Sequence, residues 1–209
     1  MYTQAAKNPK ILCIAISVIL DKFQYITVHN RSRNTLILVD QTPSRWCEHG
    51  INYFFMKRIA VFPGSFDPVT LGHIHIVQKA SSLFDVVYLA IGVNTNKICM
   101  FELSQRLQWL AIAAQRIENV EVISYSGLTT DFCKKVNARF IIRGIRNSVD
   151  LEYEKAISET NFIIEPEIQT VFLLSDPTMT FIQSGILREL IRNKSDVSMF
   201  LPGGVNVYE

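Results

Sequence analysis

The chain has 209 residues, 48% hydrophobic and 19% charged, and its 21 basic and 19 acidic residues leave a net charge of +2. This size and hydrophobic share allow one good core, in a single domain with an appendage. A nearly balanced charge argues against a general nucleic-acid surface, which needs clustered basic residues. The cysteines Cys13, Cys47, Cys99 and Cys133 lack the spacing of a zinc site or a disulfide framework. We therefore expect reduced thiols in a cytoplasmic protein.

The first 55 residues differ from the rest of the chain. The apolar run Ile11–Leu20 is too short to span a bilayer, which takes about 20 residues. No convincing cleavage site follows it, so we do not expect a secretion signal. The run Thr35–Val39 is a predicted strand. We predict that residues 1–55 are an extension of no assigned function, either upstream of the true start or a poorly ordered appendage.

From Met56 onward, apolar segments of strand length alternate with amphipathic segments of helix length. The predicted strands are 58–62, 86–92, 120–124, 139–143 and 170–174, and the predicted helices are 72–82, 103–116, 129–136, 149–163 and 183–193. The apolar positions expected in the core of the second helix are Leu103, Leu107, Leu110, Ala111, Ala114 and Ile117. The alternation predicts a parallel sheet covered by helices on both faces.

The segment Phe62–His73, FPGSFDPVTLGH, joins the first of these strands to the first helix. Thr70 or Asp67 can cap the helix, and His73 falls in its first turn, where unpaired backbone N–H groups attract anions. Two glycines allow a phosphate to approach closely, and Ser65 adds a hydroxyl donor. Taken alone, the segment is better explained as an ordinary strand-to-helix connection.

Further motifs change this interpretation. Thr70-Leu71-Gly72-His73 matches the (His/Thr)-x-Gly-His signature of the nucleotidyltransferase superfamily, and GSFDPVTLGH resembles the phosphopantetheine adenylyltransferase family. IIRGIRNSVDLEYE at 141–154 and FIQSGILRE at 181–189 are similar to two more blocks of that family, so the resemblance covers 56–202. It implies an adenylyltransferase domain at 56–209 with a Rossmann-like nucleotidyltransferase fold. The expected α/β architecture is a doubly wound five-stranded parallel sheet in the order 3-2-1-4-5.

The resemblance also implies the reaction and its residues. An adenylyl group passes reversibly from ATP to 4'-phosphopantetheine, giving dephospho-coenzyme A and pyrophosphate in coenzyme A biosynthesis. The implied catalytic residues are His73, which donates a hydrogen bond to the α-phosphate, Ser65, which reaches phosphates of both substrates, and Lys97, which orients the attacking phosphate. The implied phosphopantetheine site contains Ser65, Lys97, Thr129 and Arg143. The implied ATP site contains Ser65, Phe66, His73, Gly144, Ile145, Arg146, Glu154, Met179, Thr180, Phe181, Ile182, Gln183, Ser184 and Gly185.

These residues follow the carboxyl ends of the predicted strands, where ligands bind in such sheets. The family's serine-rich turn before the last main helix reads Ile182-Gln183-Ser184-Gly185 here, which predicts weakened ATP binding rather than a lost site. Mg²⁺ is implied as the companion of ATP, held by phosphates and water without a fixed protein cage. The resemblance further implies a homohexamer and leaves coenzyme A open as a feedback ligand. We expect neither nucleic acid nor membrane as a partner.

Two alternatives stay open. A cytidylyltransferase or a nicotinamide mononucleotide adenylyltransferase would share the turn and the histidine, although RGIRNSVDLEYE resembles neither as well. A catalytically weakened nucleotide-binding module is the alternative outside enzymes. The sequence has no KMSKS-like segment, which disfavours a class I aminoacyl-tRNA synthetase, and no GxxxxGK[ST] run, which disfavours a P-loop phosphotransferase.

Overall fold

The computed structural model describes residues 57–93 and 98–208, together with three strands between residues 15 and 40. The chain divides into two compact units, Met1–Met56 and Lys57–Glu209. In the first unit β1 (Ala15–Leu20), β2 (Phe23–Asn30) and β3 (Thr35–Asp40) form an antiparallel sheet in that order. The strand predicted at 35–39 is thus confirmed, whereas the lack of function of residues 1–55 stays a prediction.

The second unit alternates strands and helices along the chain. Its elements are β4 (Ile59–Gly64), α1 (Leu71–Leu83), β5 (Val86–Val93), α2 (Leu103–Ala114), β6 (Val120–Ser126), α3 (Thr129–Lys135), β7 (Phe140–Ile145), α4 (Ser148–Ile164), β8 (Gln169–Leu174), α5 (Ser184–Arg192) and a 3-10 turn at Ser198–Phe200. Each predicted strand and helix of this unit is confirmed, with bounds that shift by a residue or two at some ends. None of the described helices is long and apolar enough to cross a membrane.

The five strands of this unit form one parallel sheet in the order β6-β5-β4-β7-β8. Counted from β4, this is the predicted order 3-2-1-4-5. From β4 the chain first adds β5 and β6 on one side of the sheet and then β7 and β8 on the other. The order of the strands therefore reverses between β4 and β7, which pair through Ala60↔Phe140 and Val61↔Ile141. Ligands bind beyond the carboxyl ends of the strands at such a switch point. The segment after β4 is therefore at the expected ligand edge.

The core lies on both faces of the sheet. Side chains alternate along a strand, so Ala60 and Phe62 pack on one face, with buried residues of α1, α2 and α5, and Val61 packs on the other. The second face is covered by Phe132 and Cys133 of α3. The doubly wound arrangement predicted from the sequence is confirmed.

The buried face of α2 is rotated from the predicted one. Leu110 and Ala114 are buried as expected, but Ala111 is exposed, so its prediction as a core residue is wrong. Arg106 and Trp109 are buried instead. With about 100° between successive residues, Ala111 falls beyond one border of the stripe and Arg106 falls within it.

Candidate active site

His73 is fixed at the start of α1 by a reciprocal capping box. Thr70 is the N-cap, and its hydroxyl oxygen accepts the His73 backbone N–H at 3.4 Å. In return, Nδ1 of His73 accepts the Thr70 backbone N–H at 3.0 Å. A capping box needs the N-cap residue and the third helical residue, so the Thr-x-Gly-His spacing places the imidazole where Glu or Gln usually stands. The cap is Thr70 rather than Asp67.

The same hydrogen bond defines the tautomer of His73. Because Nδ1 accepts a backbone proton, the proton of the neutral ring is assigned to Nε2. Burial, and then the positive charge of Arg146, lower the pKa of His73 from 6.5 to about 4. At neutral pH the ring is uncharged and can donate from Nε2–H.

Phe66 supports the His73 ring from beneath. Its side chain is 2% exposed and meets the His73 ring at an angle of 73° with centroids 5.0 Å apart. A Cβ at Gly64 would lie 2.8 Å from the Phe66 ring, so this glycine makes room for the aromatic side chain. The backbone of Phe66 has a φ of 45°. Since the ring is buried, a contact with a nucleotide would come from the Phe66 backbone.

Arg143, Glu154 and Thr129 share one cleft of about 200 Å³ beside Pro63. Nε and Nη2 of Arg143 each donate to one Glu154 oxygen at 2.5 Å, and Nη1 donates to the Pro63 carbonyl at 3.1 Å. Thr129 Oγ1 lies 2.7 Å from the Tyr125 hydroxyl. The glutamate expected in the ATP site and two residues expected in the phosphopantetheine site therefore lie together.

Arg146 forms the second arginine–carboxylate pair of the site. Its Nε lies 2.7 Å from one Asp150 oxygen and its Nη2 lies 3.1 Å from the other. Asp150 lies in the first turn of α4, which Asn147 caps. A guanidinium carries five N–H donors, so both arginines keep N–H groups for a phosphate while the carboxylates fix their orientation.

Gly144 and Ile145 lie at the carboxyl end of β7, as predicted. A Cβ at Gly144 would lie 3.0 Å from Ile76 on α1, so this glycine allows the helix to pack closely on the strand. Ile145 is buried, and its carbonyl accepts the Ser175 N–H at 2.8 Å. The close packing of α1 on β7 keeps the start of α1 beside Arg146.

The predicted ATP segment from Met179 to Gly185 lies against the start of α1. The carbonyl oxygens of Met179 and Ile182 would be 3.6 and 3.7 Å from a Cβ at Gly72. Ile182 is buried, whereas Phe181 and Gly185 are exposed, and Thr180 donates to the Pro177 carbonyl at 3.0 Å. The segment therefore presents its exposed positions beside the histidine helix.

The start of α5 carries the departures from the family pattern. Gln183 is the N-cap and makes no side-chain hydrogen bond to the helix. The Ser184 hydroxyl donates to the Pro68 carbonyl at 2.9 Å, so it holds α5 to the turn after β4. The weakening of ATP binding stays a prediction. Lys97 lies outside the described residues.

Sequence reasoning gave Arg106 no role, and it did not predict the following contacts of Arg188 and Asp67. Arg106 donates to the Ser65 carbonyl at 2.7 Å, and Arg188 donates to the Asp67 carbonyl at 2.6 Å. The Asp67 carboxylate accepts the N–H groups of residues 100 and 101. An arginine on the apolar stripe of α2 is the one signal that could have identified Arg106. Among the described residues, no group of three or more His, Cys, Asp or Glu is placed to hold a metal ion.

Comparison with known proteins identifies the family of the chain. The cytidylyltransferase-like family model matches residues 61–190. The phosphopantetheine adenylyltransferase of Flavobacterium psychrophilum is 48% identical over 150 residues, 72% of this chain and 99% of its own. That of Flavobacterium johnsoniae is 45% identical over 150 residues, 72% of this chain and 98% of its own.

Solved structures support the fold. A Vibrio parahaemolyticus protein assigned as a nicotinate-nucleotide adenylyltransferase superposes with a TM-score of 0.56 at 21% identity, covering 72% of this chain and 96% of its own. The likeness at this identity concerns the Rossmann-like fold alone. The identities to the two Flavobacterium enzymes are much higher and cover almost their whole length. The chain therefore belongs to the phosphopantetheine adenylyltransferase family of the nucleotidyltransferase superfamily.

Proposed function

We propose that the chain transfers an adenylyl group from ATP to 4'-phosphopantetheine, reversibly, giving dephospho-coenzyme A and pyrophosphate. Its family membership supports this reaction. The observation that carries the proposal is the neutral His73, held at the start of α1 by Thr70 with its Nε2–H left to donate. A neutral donor at a helix start suits an α-phosphate whose negative charge grows during transfer.

The residues divide the work between positioning and charge stabilisation. The phosphate of phosphopantetheine attacks the α-phosphorus of ATP in line, and the bond to pyrophosphate breaks without a covalent enzyme intermediate. His73 stabilises the reacting group, Ser65 contacts phosphates of both substrates, and Lys97 orients the attacking phosphate. Holding two reactants in line supplies much of the rate acceleration in such a reaction.

The two arginines have separate tasks in this proposal. In the proposal Arg143 contacts phosphopantetheine in the cleft that Thr129 and Glu154 also line. Arg146 binds an ATP phosphate and stays oriented by Asp150. A bidentate carboxylate pair limits the rotation of a guanidinium and so lowers the entropy lost when phosphate binds.

Mg²⁺ accompanies ATP in this proposal. Mg²⁺ in such sites is usually bound through one or two carboxylates together with substrate phosphates and water, so we expect phosphate oxygens and water to supply most of its ligands. The charge of the ion neutralises part of the ATP triphosphate. Residues 183 and 185 replace two serines of the family pattern, so we expect weaker binding of the β- and γ-phosphates at the start of α5.

We also propose that the chain assembles as a homohexamer in the cytoplasm, with coenzyme A as a feedback ligand. Helix α4 supports assembly, because it has no buried residue and leaves Tyr153, Phe162 and Ile163 exposed. Apolar surface of this kind usually marks an interaction site. Light scattering after size-exclusion chromatography should give six times the chain mass, and a monomer would contradict the assembly.

The reaction is tested with the purified full-length chain, ATP, Mg²⁺ and 4'-phosphopantetheine. We expect dephospho-coenzyme A and pyrophosphate in equal amounts. Parallel reactions with CTP and with nicotinamide mononucleotide should give no comparable product, and product there would favour a different nucleotidyltransferase. ATP binding without turnover would favour the nucleotide-binding module.

A further inference from the structure

Residues 63–70 run from the last two residues of β4 to the N-cap of α1, and several of their carbonyl groups accept hydrogen bonds from side chains. We call these residues the phosphate turn. Four of its carbonyl oxygens accept hydrogen bonds from four side chains, which lie on α2, β7 and α5. The pairs are Arg143 to Pro63 at 3.1 Å, Arg106 to Ser65 at 2.7 Å, Arg188 to Asp67 at 2.6 Å and Ser184 to Pro68 at 2.9 Å.

This arrangement suits a turn that meets phosphates. A backbone segment attracts an anion with its N–H groups and repels it with its carbonyl oxygens. Cationic side chains that donate to the carbonyl oxygens from the side opposite the ligand keep these oxygens directed away from it. They also polarise the peptide groups so that the N–H ends face the ligand. The phosphate turn is thereby biased electrostatically as well as geometrically.

Arg106 is the most buried of these donors. Its residue is 7% exposed, and its Nε donates to the Phe101 carbonyl at 3.0 Å while Nη1 donates to the Ser65 carbonyl. Burying a guanidinium costs free energy unless its donors are satisfied. Arg106 thus uses two nitrogens of its guanidinium, Nε and Nη1, to join two segments 36 residues apart in the chain. A lysine would offer one nitrogen in their place.

Asp67, itself part of the phosphate turn, joins the turn to the backbone at 100–101 through its side chain. It is 2% exposed, and its two carboxylate oxygens accept the N–H groups of Met100 and Phe101 at 2.9 and 3.0 Å. Arg188, from α5, donates Nη1 to the Asp67 carbonyl and lies 3.7 Å from its carboxylate. The phosphate turn, the backbone at 100–101 and α5 are therefore held in one frame.

We propose that Arg106 and Arg188 are positioning residues for the adenylyl transfer: they bind the Ser65 and Asp67 carbonyl oxygens from behind and hold the phosphate turn with these oxygens directed away from the reacting phosphates. The inference rests on the proposed function, because it concerns the same site. The two arginines differ in the number of donating nitrogens that their contacts use. Arg106 uses two donors that diverge, whereas the hydrogen bond of Arg188 within the described part of the chain comes from Nη1.

The test compares methionine and lysine variants of both arginines in the full-length chain. We expect kcat to fall on the order of 100-fold for Arg106→Met and about tenfold for Arg188→Met, since a misplacement of about 1 Å can cost 100-fold. Arg188→Lys should recover most of the kcat, because one donor suffices. Arg106→Lys should not, because lysine offers one nitrogen in place of the two, Nε and Nη1, that donate to the carbonyls in wild type. Arg139→Met, which removes an exposed pair with Glu167, is the matched control with unchanged kcat.

Melting temperatures of all variants separate positioning from stability. Variants that melt earlier but keep the wild-type kcat would overturn the inference. An Arg188→Met that raises the KM for ATP at unchanged kcat would assign Arg188 as a ligand instead. Equal rescue by both lysine variants would also contradict the geometry. If Arg106→Met does not fold, the comparison of Arg188→Met with Arg188→Lys still tests the inference.

A binding measurement separates this inference from the proposed function. Full-length wild type without any turnover would defeat the proposed function alone. Calorimetric titration with pyrophosphate then tests the phosphate turn directly. We expect Arg188→Met to bind pyrophosphate about tenfold more weakly than wild type, which is the change in affinity that the loss of one modest interaction produces. Equal affinity would overturn the inference.

Discussion

At the residue scale, His73 uses Nδ1 for a structural task, and in the proposed reaction it uses Nε2 for a chemical one. Nδ1 accepts the Thr70 N–H and completes the capping box, and this bond leaves the proton of the neutral ring on Nε2. The fixed spacing of the signature thus has a physical basis, because only the third helical residue can reach back to the N-cap. Removal of the side chain affects both tasks, so a test needs a variant that separates them.

Replacement of His73 by Ala should lower kcat about 100- to 1000-fold, the usual cost of one transition-state donor, with a modest change in ATP affinity. His73→Gln is the matched control, because glutamine at the third helical residue can still accept the Thr70 N–H. We expect the melting temperature of His73→Gln to stay close to that of wild type while kcat stays low. An unchanged kcat in His73→Ala would refute the catalytic role. Steady-state kinetics and calorimetric ATP titration provide both values.

The lowered pKa of His73 predicts a pH-dependent stability. Between about 4 and 6.5, the unfolded chain binds a proton at His73 that the folded chain does not. Stability therefore falls as the pH drops through this window, and His73 costs no stability above it. We expect wild type to lose more melting temperature between pH 7 and pH 4.5 than His73→Gln does. Equal losses would show that the histidine is not neutral in the folded protein.

At the element scale, periodicity identified the strands and helices because the pattern of apolar residues is local. Helix α2 shows the limit of this reasoning. The predicted stripe was correct at Leu110 and Ala114 but wrong at Ala111, and it did not include Arg106. One of the two carbonyls that accept from Arg106 belongs to Ser65, 41 residues earlier, so a local pattern could not reveal this contact.

The end of β4 offers a test of how packing supports the site. Gly64→Ala should cost about 1–3 kcal/mol of unfolding free energy, because the new methyl group overlaps the Phe66 ring. The displaced ring packs against His73, so kcat should fall as well. Gly203→Ala is the control, since no atom lies within 4 Å of its Cβ position, and we expect a change within about 0.5 kcal/mol. Wild-type kcat in Gly64→Ala would contradict the supporting role of Phe66.

At the scale of the whole molecule, the candidate site belongs to the second unit. Its described residues lie between Pro63 and Arg188, and the family resemblance begins at Met56. We expect a fragment of residues 56–209 to fold and to keep the kcat of the full-length chain within about twofold, which corresponds to roughly 0.4 kcal/mol. An inactive fragment beside an active full-length chain would show that residues 1–55 contribute to function.

The sequence by itself determined the order of strands and helices along the chain, and it predicted the ligand edge of the sheet. These follow from local periodicity and from the signature around His73, where the residues that matter lie within a few positions of each other. The helix start and the position of the histidine could be predicted for this reason, whereas the cap was left open between Thr70 and Asp67. The family resemblance then supplied the residues expected at the other strand ends.

Only the tertiary structure decided which charges meet. It paired Arg143 with Glu154, Arg146 with Asp150 and Arg106 with the Ser65 carbonyl, and it lowered the pKa of His73 through burial and the nearby Arg146. Hydrogen bonds and pKa shifts depend on distance and solvent exposure in space, which join residues far apart in the chain. Spacing along the sequence carries no record of these distances.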